Sequence, residues 1–353
     1  MEAQAGADAE PESRRLPSTR RRERLVFLAC VAVWVAALLL SFSTGHYAMT
    51  PGEVWHALRQ LVAGQAGSPA PTILLQVRLP RIILATLVGA GLAVSGAAYQ
   101  GLFRNPLVSP DILGVSAGAC VGAVIGIFFH MSTGVTQVLA FLAGLVAIAI
   151  VTGISRAVAG GSGRLLVLVL SGVVVTAVFQ AIITLLKYFA DTDDQLPAIT
   201  YWLMGSFARS SDYRTLGVVA LIMVAAMVPL LAVRWQLNVV SFGEEQARSL
   251  GVNVTAVKWT VIFCATLLTS VSVALCGVVG WVGLVIPHLV RVAGGANFRG
   301  LLPNSFVAGA AFMVLADAFA RNAPTELPIS VLTALVGAPV FLWMLYASRR
   351  ELA

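Results

Sequence analysis

The stretch Gly243-Glu-Glu-Gln-Ala-Arg-Ser-Leu-Gly-Val-Asn-Val254 places three charges and several turn residues in a chain that is otherwise apolar for hundreds of positions. Charges and turning backbone need water, so the apolar runs on either side, 215–233 and 254–275, must end here and the segment must lie outside a bilayer. Ser241-Phe-Gly-Glu244 fits a capping box, Ser at the N-cap and Glu three residues on. Gly251 can supply the left-handed residue that ends a helix, and Asn253 can cap the next one. Residues 236–256 therefore encode two short helices, with Glu244, Glu245, Gln246 and Arg248 exposed and Ala247 and Leu250 as apolar contacts. A plain connector needs only turn residues. Caps plus an amphipathic face indicate a surface that touches something.

Composition points the same way. Of 353 residues, 58% are hydrophobic and 11% charged, with mean hydropathy +0.89; soluble domains run about 45–50% apolar and about 25% charged. Runs of about 18 or more apolar residues read as helices crossing ~30 Å of hydrocarbon, the backbone satisfying itself. Ten are expected, at 25–43, 82–102, 112–129, 135–155, 165–186, 215–233, 254–275, 278–292, 303–320 and 328–347. The reading is an all-α polytopic membrane protein whose permease domain spans 25–347, and soluble enzymes are excluded.

The net charge of +7 does not indicate nucleic acid, because Arg14, Arg15, Arg20, Arg21, Arg22 and Arg24 cluster ahead of the first run. That placement predicts a cytoplasmic N-terminus. A signal peptide is the competing reading, disfavoured by the length of the run and by the spans that follow. Residues 1–24 are expected to be a disordered basic segment and 348–353 a cytoplasmic tail. Counting Lys and Arg on alternate sides gives sixteen inside and seven outside, which places both termini in the cytoplasm. Cys30, Cys120, Cys264 and Cys276 are scattered through apolar runs and read as small core residues.

Between the spans, Pro51–Leu58 reads as a short interfacial helix with proline at its start. Asp191, Asp193 and Asp194 form an acidic group without a calcium-loop pattern, so a solvated loop is the reading. Gly114, Gly118, Gly122 and Gly126 strip one helix face bare, for close packing or as a path wall. Asp317 is the acidic residue deep in a span, with Arg321 one turn on as a partner. His288, beside Pro287 at a helix break, is read as hydrogen-bonding a freed carbonyl in preference to binding a metal. The chain has no Gly-x-x-x-x-Gly-Lys-Ser/Thr loop and no paired intramembrane carboxylates. Energy must then come from a partner chain; ion coupling is the alternative, disfavoured by so few ionisable groups within spans.

Phe242-Gly-Glu-Glu-x-Ala-x-Ser-Leu-Gly-Val252 resembles the coupling-helix signature of the iron-siderophore, haem and cobalamin permeases of bacterial ABC importers. Arg78-Leu-Pro-Arg81, GAGLAVSGAAYQGLFRNPLVSPDILGVSAGA (89–119), WLMGSF (202–207), GWVGLVIPHLVR (280–291) and LPISVLTALVGAPVFLWML (327–345) follow in the order of that family. The resemblance covers nearly everything after residue 75. It implies a ten-helix type II importer permease in the bacterial inner membrane. It further implies a second permease copy, two cytoplasmic subunits that bind ATP and Mg, and a periplasmic binding protein that delivers an iron chelate, haem or cobalamin. No cofactor or metal is implied in this chain. By the same resemblance Glu244, Glu245, Arg248, Ser249, Leu250 and Gly251 contact the ATPase. Arg78, Arg81 and Arg321 receive glutamates of the binding protein. Relatives carry small hydroxyl residues at a cytosolic constriction where this chain has Leu165 and Leu166, with Gly160, Gly161, Ser162 and Gly163 just before, which implies a gate that is either leucine-lined or shifted.

Overall fold

The computed structural model describes residues 19–45, 47, 49–62, 69–158, 164–209 and 213–352, all helix and connection with no strand among them. The helices are α1 (Thr19–Ser43), α2 (Pro51–Val62), α3 (Pro69–Ile73), α4 (Leu79–Leu102), α5 (Val115–Phe128), α6 (Thr133–Val158), α7 (Arg164–Phe189) and α8 (Gln195–Met204). They continue as α9 (Tyr213–Ala232), α10 (Arg234–Ser241), α11 (Glu244–Ser249), α12 (Val254–Cys276), α13 (Val282–Gly294), α14 (Phe298–Asn322) and α15 (Ile329–Leu352). A π-helical turn, Leu74–Arg78, joins α3 to α4, and a 3-10 turn, Pro110–Leu113, precedes α5.

Each of the ten apolar runs corresponds to one helix, although the runs at 112–129 and 278–292 begin before theirs, at Val115 and Val282. Seven are long and apolar enough to cross a membrane: α1, α4, α6, α7, α9, α12 and α14. Three apolar helices are shorter: α5, α13 and the Ile329–Met344 part of α15. At 1.5 Å per residue, the 14 residues of α5 reach only about 21 Å, less than a hydrocarbon core.

The buried α4 is the axis, with α14, α12, α13 and α9 packed around it. Glycine makes the approach possible: a Cβ on Gly89 would sit 2.2 Å from Gly309 O of α14. The glycine face of α5 packs on α6, where a Cβ on Gly122 would fall 2.3 Å from Leu139 O. α4–α7 and α12–α15 share one rhythm of lengths, 24, 14, 26 and 26 residues against 23, 13, 25 and 24. α4 and α12 run antiparallel: Tyr99 Oη donates to Ile262 O at 3.3 Å, while Gly91 lies against Leu268.

Three local expectations are corrected. Residues 19–24 begin α1 and are not a disordered segment, while residues 1–18 lie outside the described set. The reason is tertiary: Arg22 donates to Ala293 O (2.7 Å) and Val292 O (2.8 Å), carbonyls left free where α13 ends. The expected tail 348–353 continues α15 as far as Leu352. The interfacial helix runs four residues past Leu58, to Val62. It starts with a capping box, in which Thr50 N donates to Glu53 Oε2 (2.7 Å) and Glu53 N donates to Thr50 Oγ1 (3.3 Å).

Candidate functional site

The polar segment between α9 and α12 folds into two short helices, α10 and α11, but the caps differ from the expected ones and the helix that Asn253 opens is the long α12. Ser241 is the last residue of α10 and donates to Asn238 O at 2.6 Å, so it caps nothing. Gly243, at φ 131°, starts α11 instead. That backbone suits glycine, and it takes the chain from one helix into the next without a side-chain cap. At the far end Gly251 (φ 77°) closes α11, with its N–H on Arg248 O (3.0 Å) and that of Val252 on Ala247 O (3.0 Å). Asn253 Oδ1 accepts from Ala256 N at 3.0 Å and opens α12.

Ala247, Leu237, Val240, Val252 and Val254 bury the inner side of this segment. Glu244 ties it down, accepting from Lys258 Nζ at 2.5 Å and lying 3.4 Å from Arg248 Nη2. Leu250, expected to contact the ATPase, faces outward at 65% exposed, and Phe242, the first residue of the signature, is 78% exposed. Glu245, Arg248, Ser249 and Gly251 are exposed beside them. The result is an anchored protrusion with two apolar side chains on its outer surface.

Behind it lies a cavity of about 110 Å³ between α6, α7, α11 and α12. Leu165 lines it with Ser155, Glu244 and Lys258, and Arg156 stacks over the Trp259 ring at 4.5 Å. Leu166 is 65% exposed and does not line this cavity, so the expected leucine pair is divided. Gly160–Gly163 lie outside the described residues.

At the opposite end the structure gathers Arg78, Arg81 and Arg321, but none is presented as a free docking group. They are 3%, 5% and 8% exposed, and each is engaged within the chain. Arg78 donates to Phe42 O and Tyr47 O. Arg81 Nε pairs with Asp317 Oδ1 at 2.6 Å, and its two terminal nitrogens grip Glu326 at 2.7 and 3.2 Å. Arg321 Nε lies 3.1 Å from Asp317 Oδ2, as the one-turn spacing suggested, and its Nη2 donates to Ser41 O at 3.2 Å. Burial alone would raise the Glu326 carboxyl, but the Arg81 hydrogen bonds and charge, with Ser206 and Arg321 adding, hold it below the usual carboxylate range. Three loops are sewn together beside it by Ser206 Oγ to Glu326 (2.9 Å), Ser206 N to Cys276 O (2.8 Å) and Ile329 N to Gly205 O (3.1 Å).

The remaining candidates behave as structural groups. Asp191 Oδ1 accepts from Asp193 N (2.9 Å) and Asp194 N (3.1 Å), closing a turn ahead of α8. His288 does not bond a freed carbonyl: its Nδ1 is buried without a hydrogen-bond partner, and Gln100 Nε2 takes Leu284 O at 3.1 Å. Among the described residues no three His, Cys, Asp or Glu side chains group as a metal site.

The FecCD transport family profile matches residues 33–347. The molybdate import system permease protein MolB of Haemophilus influenzae is 40% identical over 318 residues, covering 90% of this chain and 94% of that one. The hemin transport system permease protein HmuU of Yersinia pestis is 38% identical over 335 residues, covering 93% and 94%. A solved structure described as an inward-facing conformation of a putative metal-chelate type ABC transporter matches with TM-score 0.82 and 38% identity, over 92% of this chain and 99% of that one. A buried helical core, an anchored polar protrusion and similarity along nearly the whole chain agree, and the chain is an ABC importer permease of the FecCD transport family.

Proposed function

We propose that this chain is the membrane subunit of an ATP-driven importer that passes an iron chelate, a ferric siderophore in the first instance, from a periplasmic binding protein to the cytoplasm. Haem and cobalamin are the other cargoes of this reading. The chain crosses the inner membrane ten times with both ends in the cytoplasm, pairs with a second copy, and leaves ATP and Mg to two cytoplasmic subunits. The observation that carries the reading is the protrusion at α10–α11, whose apolar Phe242 and Leu250 are exposed while its inner side is pinned by Glu244 and Lys258. Such a part transmits force to whatever grips it. Closure of the ATPases draws the two protrusions together and opens or shuts the cavity lined by Leu165, which acts as the cytosolic gate residue.

The outer arginine cluster lies under the docking face for the binding protein. Since Arg81 already holds Glu326 in a fork, a partner carboxylate reaches it by displacing that residue. A second reading, molybdate import, is favoured by the 40% identity to MolB.

The test is reconstitution in vesicles, with and without a partner ATPase and a periplasmic binding protein, following uptake of ferric siderophore, haem, cobalamin and molybdate. The proposal expects uptake of a chelate only with all components present. Uptake by the lone chain that collapses with the proton gradient would replace it with an ion-coupled transporter.

A further inference from the structure

We infer that the cavity behind the protrusion binds one phosphate-class oxyanion through Arg156, Arg248 and Lys258, and that the anion competes there with the chain's own Glu244 carboxylate. In treating the protrusion as the part that carries force, the inference rests on the importer reading above.

Three helices meet at this cavity, each with one face turned inward. α6 brings Thr152, Ser155 and Arg156 from its last two turns, at helical spacing. α12 brings Thr255, Lys258, Trp259 and Ile262 from its first three turns, at the same spacing. α11 adds Glu244 and Arg248, one turn apart. A space of about 110 Å³ is thus lined by three cations and one carboxylate. Leu168 and Ile262, both nearly fully buried, also line it. Apolar walls lower the local dielectric and strengthen attraction for an ion held between the cations.

The one carboxylate is already committed, since Glu244 accepts from Lys258 and lies 3.4 Å from Arg248. Arg156 has no ion pair or hydrogen bond among the described residues; its Cζ lies 4.5 Å from the centroid of the Trp259 ring. Stacking engages the face of a guanidinium and leaves its N–H edge free to donate. Thr255 adds a hydroxyl to the same lining.

Guanidinium forks and an ammonium point charge arriving from three helices suit a tetrahedral anion, which accepts from several directions at once. Inorganic phosphate and the phosphate of an inner-leaflet lipid headgroup present this chemistry alike. Lys258 cannot serve Glu244 and the anion fully at the same time. Occupancy therefore weakens the tie between α11 and α12 and loosens the protrusion.

The experiment uses the full chain, delipidated in neutral detergent. Its melting temperature is followed against inorganic phosphate, with chloride holding ionic strength constant, and against phosphatidylglycerol, with diacylglycerol as the phosphate-free control. The expected result is a saturable rise. A rise with inorganic phosphate names the free anion as a ligand, and one confined to phosphatidylglycerol names the headgroup. Arg156→Gln should raise the midpoint concentration about tenfold, as loss of a hydrogen bond to a charged group implies. Arg234→Gln, an exposed cation outside the cavity, should leave it unchanged. Glu244→Gln should lower it about threefold to tenfold, because a competing charge is gone. Tryptic cleavage after Arg248 should quicken as the native chain saturates. No rise with either ligand, or the same midpoint in Arg156→Gln as in the native chain, overturns the site. An unchanged midpoint in Glu244→Gln overturns the competition, and cleavage indifferent to the anion overturns the loosening. No ATPase or cargo takes part, so failure here and failure of the importer reading are separate results.

Discussion

Arg81 Nε lies 2.6 Å from Asp317 Oδ1, joining α4 to α14 through a pair that is 236 residues apart in sequence and almost wholly buried. Arg321 shares the same carboxylate, so Asp317 neutralises charge from two helices. Removing one partner of a buried pair strands the other without compensation, at a cost of about 3–5 kcal/mol. Asp317→Ala should therefore lower the melting temperature of the detergent-solubilised chain far more than an exposed change such as Glu245→Ala. Adding Arg81→Ala should recover part of the loss. A single variant as stable as the parent would contradict the pairing.

Glu326 gives the outer network its pH dependence. Its carboxyl titrates below the usual range in the folded chain, so its contribution is present above the unfolded value and is lost as pH falls through the folded one. Thermal stability of the parent should fall as pH drops below about 4.5, the ordinary glutamate value. Glu326→Gln should flatten that limb of the profile. An unchanged acid limb would remove Glu326 from the account.

The same substitution tests docking. If a partner carboxylate must displace Glu326 from Arg81, Glu326→Gln frees part of the fork and should tighten binding of the periplasmic protein at low salt. Arg81→Glu should abolish it. Weaker binding in Glu326→Gln would show that the glutamate itself contacts the partner.

Phe242 and Leu250 provide a surface test that spares the fold. Both project from the protrusion, so Phe242→Asp with Leu250→Asp should leave the melting temperature within a few degrees. Co-purification with the ATPase should be lost. Retained complex formation would move the contact elsewhere.

Close packing of α5 on α6 predicts a different failure. Gly122→Val places branched carbon where Leu139 O already lies 2.3 Å from an ideal Cβ, so the helices must part. Yield of folded, monodisperse protein should collapse, whereas Gly153→Ala, with nothing near its Cβ, should be silent.

What the chain determined by itself was local. Apolar runs set where helices lie, because helix hydrogen bonds close within a few residues and the side chains need only be oily. Asn253 and Gly251 were legible for the same reason: a cap is a contact between neighbours in sequence. Ser241 shows the limit, since its pattern matched a box while the fold drew it into α10 and gave the start of α11 to Gly243. The tertiary structure alone decided the fate of the arginines. Arg78, Arg81 and Arg321 read as outward-facing cations, yet which carboxylates and carbonyls they meet depends on how α1, α4, α14 and the 323–328 loop pack. Packing likewise turned the Pro110–Leu113 segment inward, with Pro110 against Gly283 and Ile112 against Gly172. Most electrostatic partners are chosen across space, and spacing along the chain recorded only the Asp317–Arg321 pair.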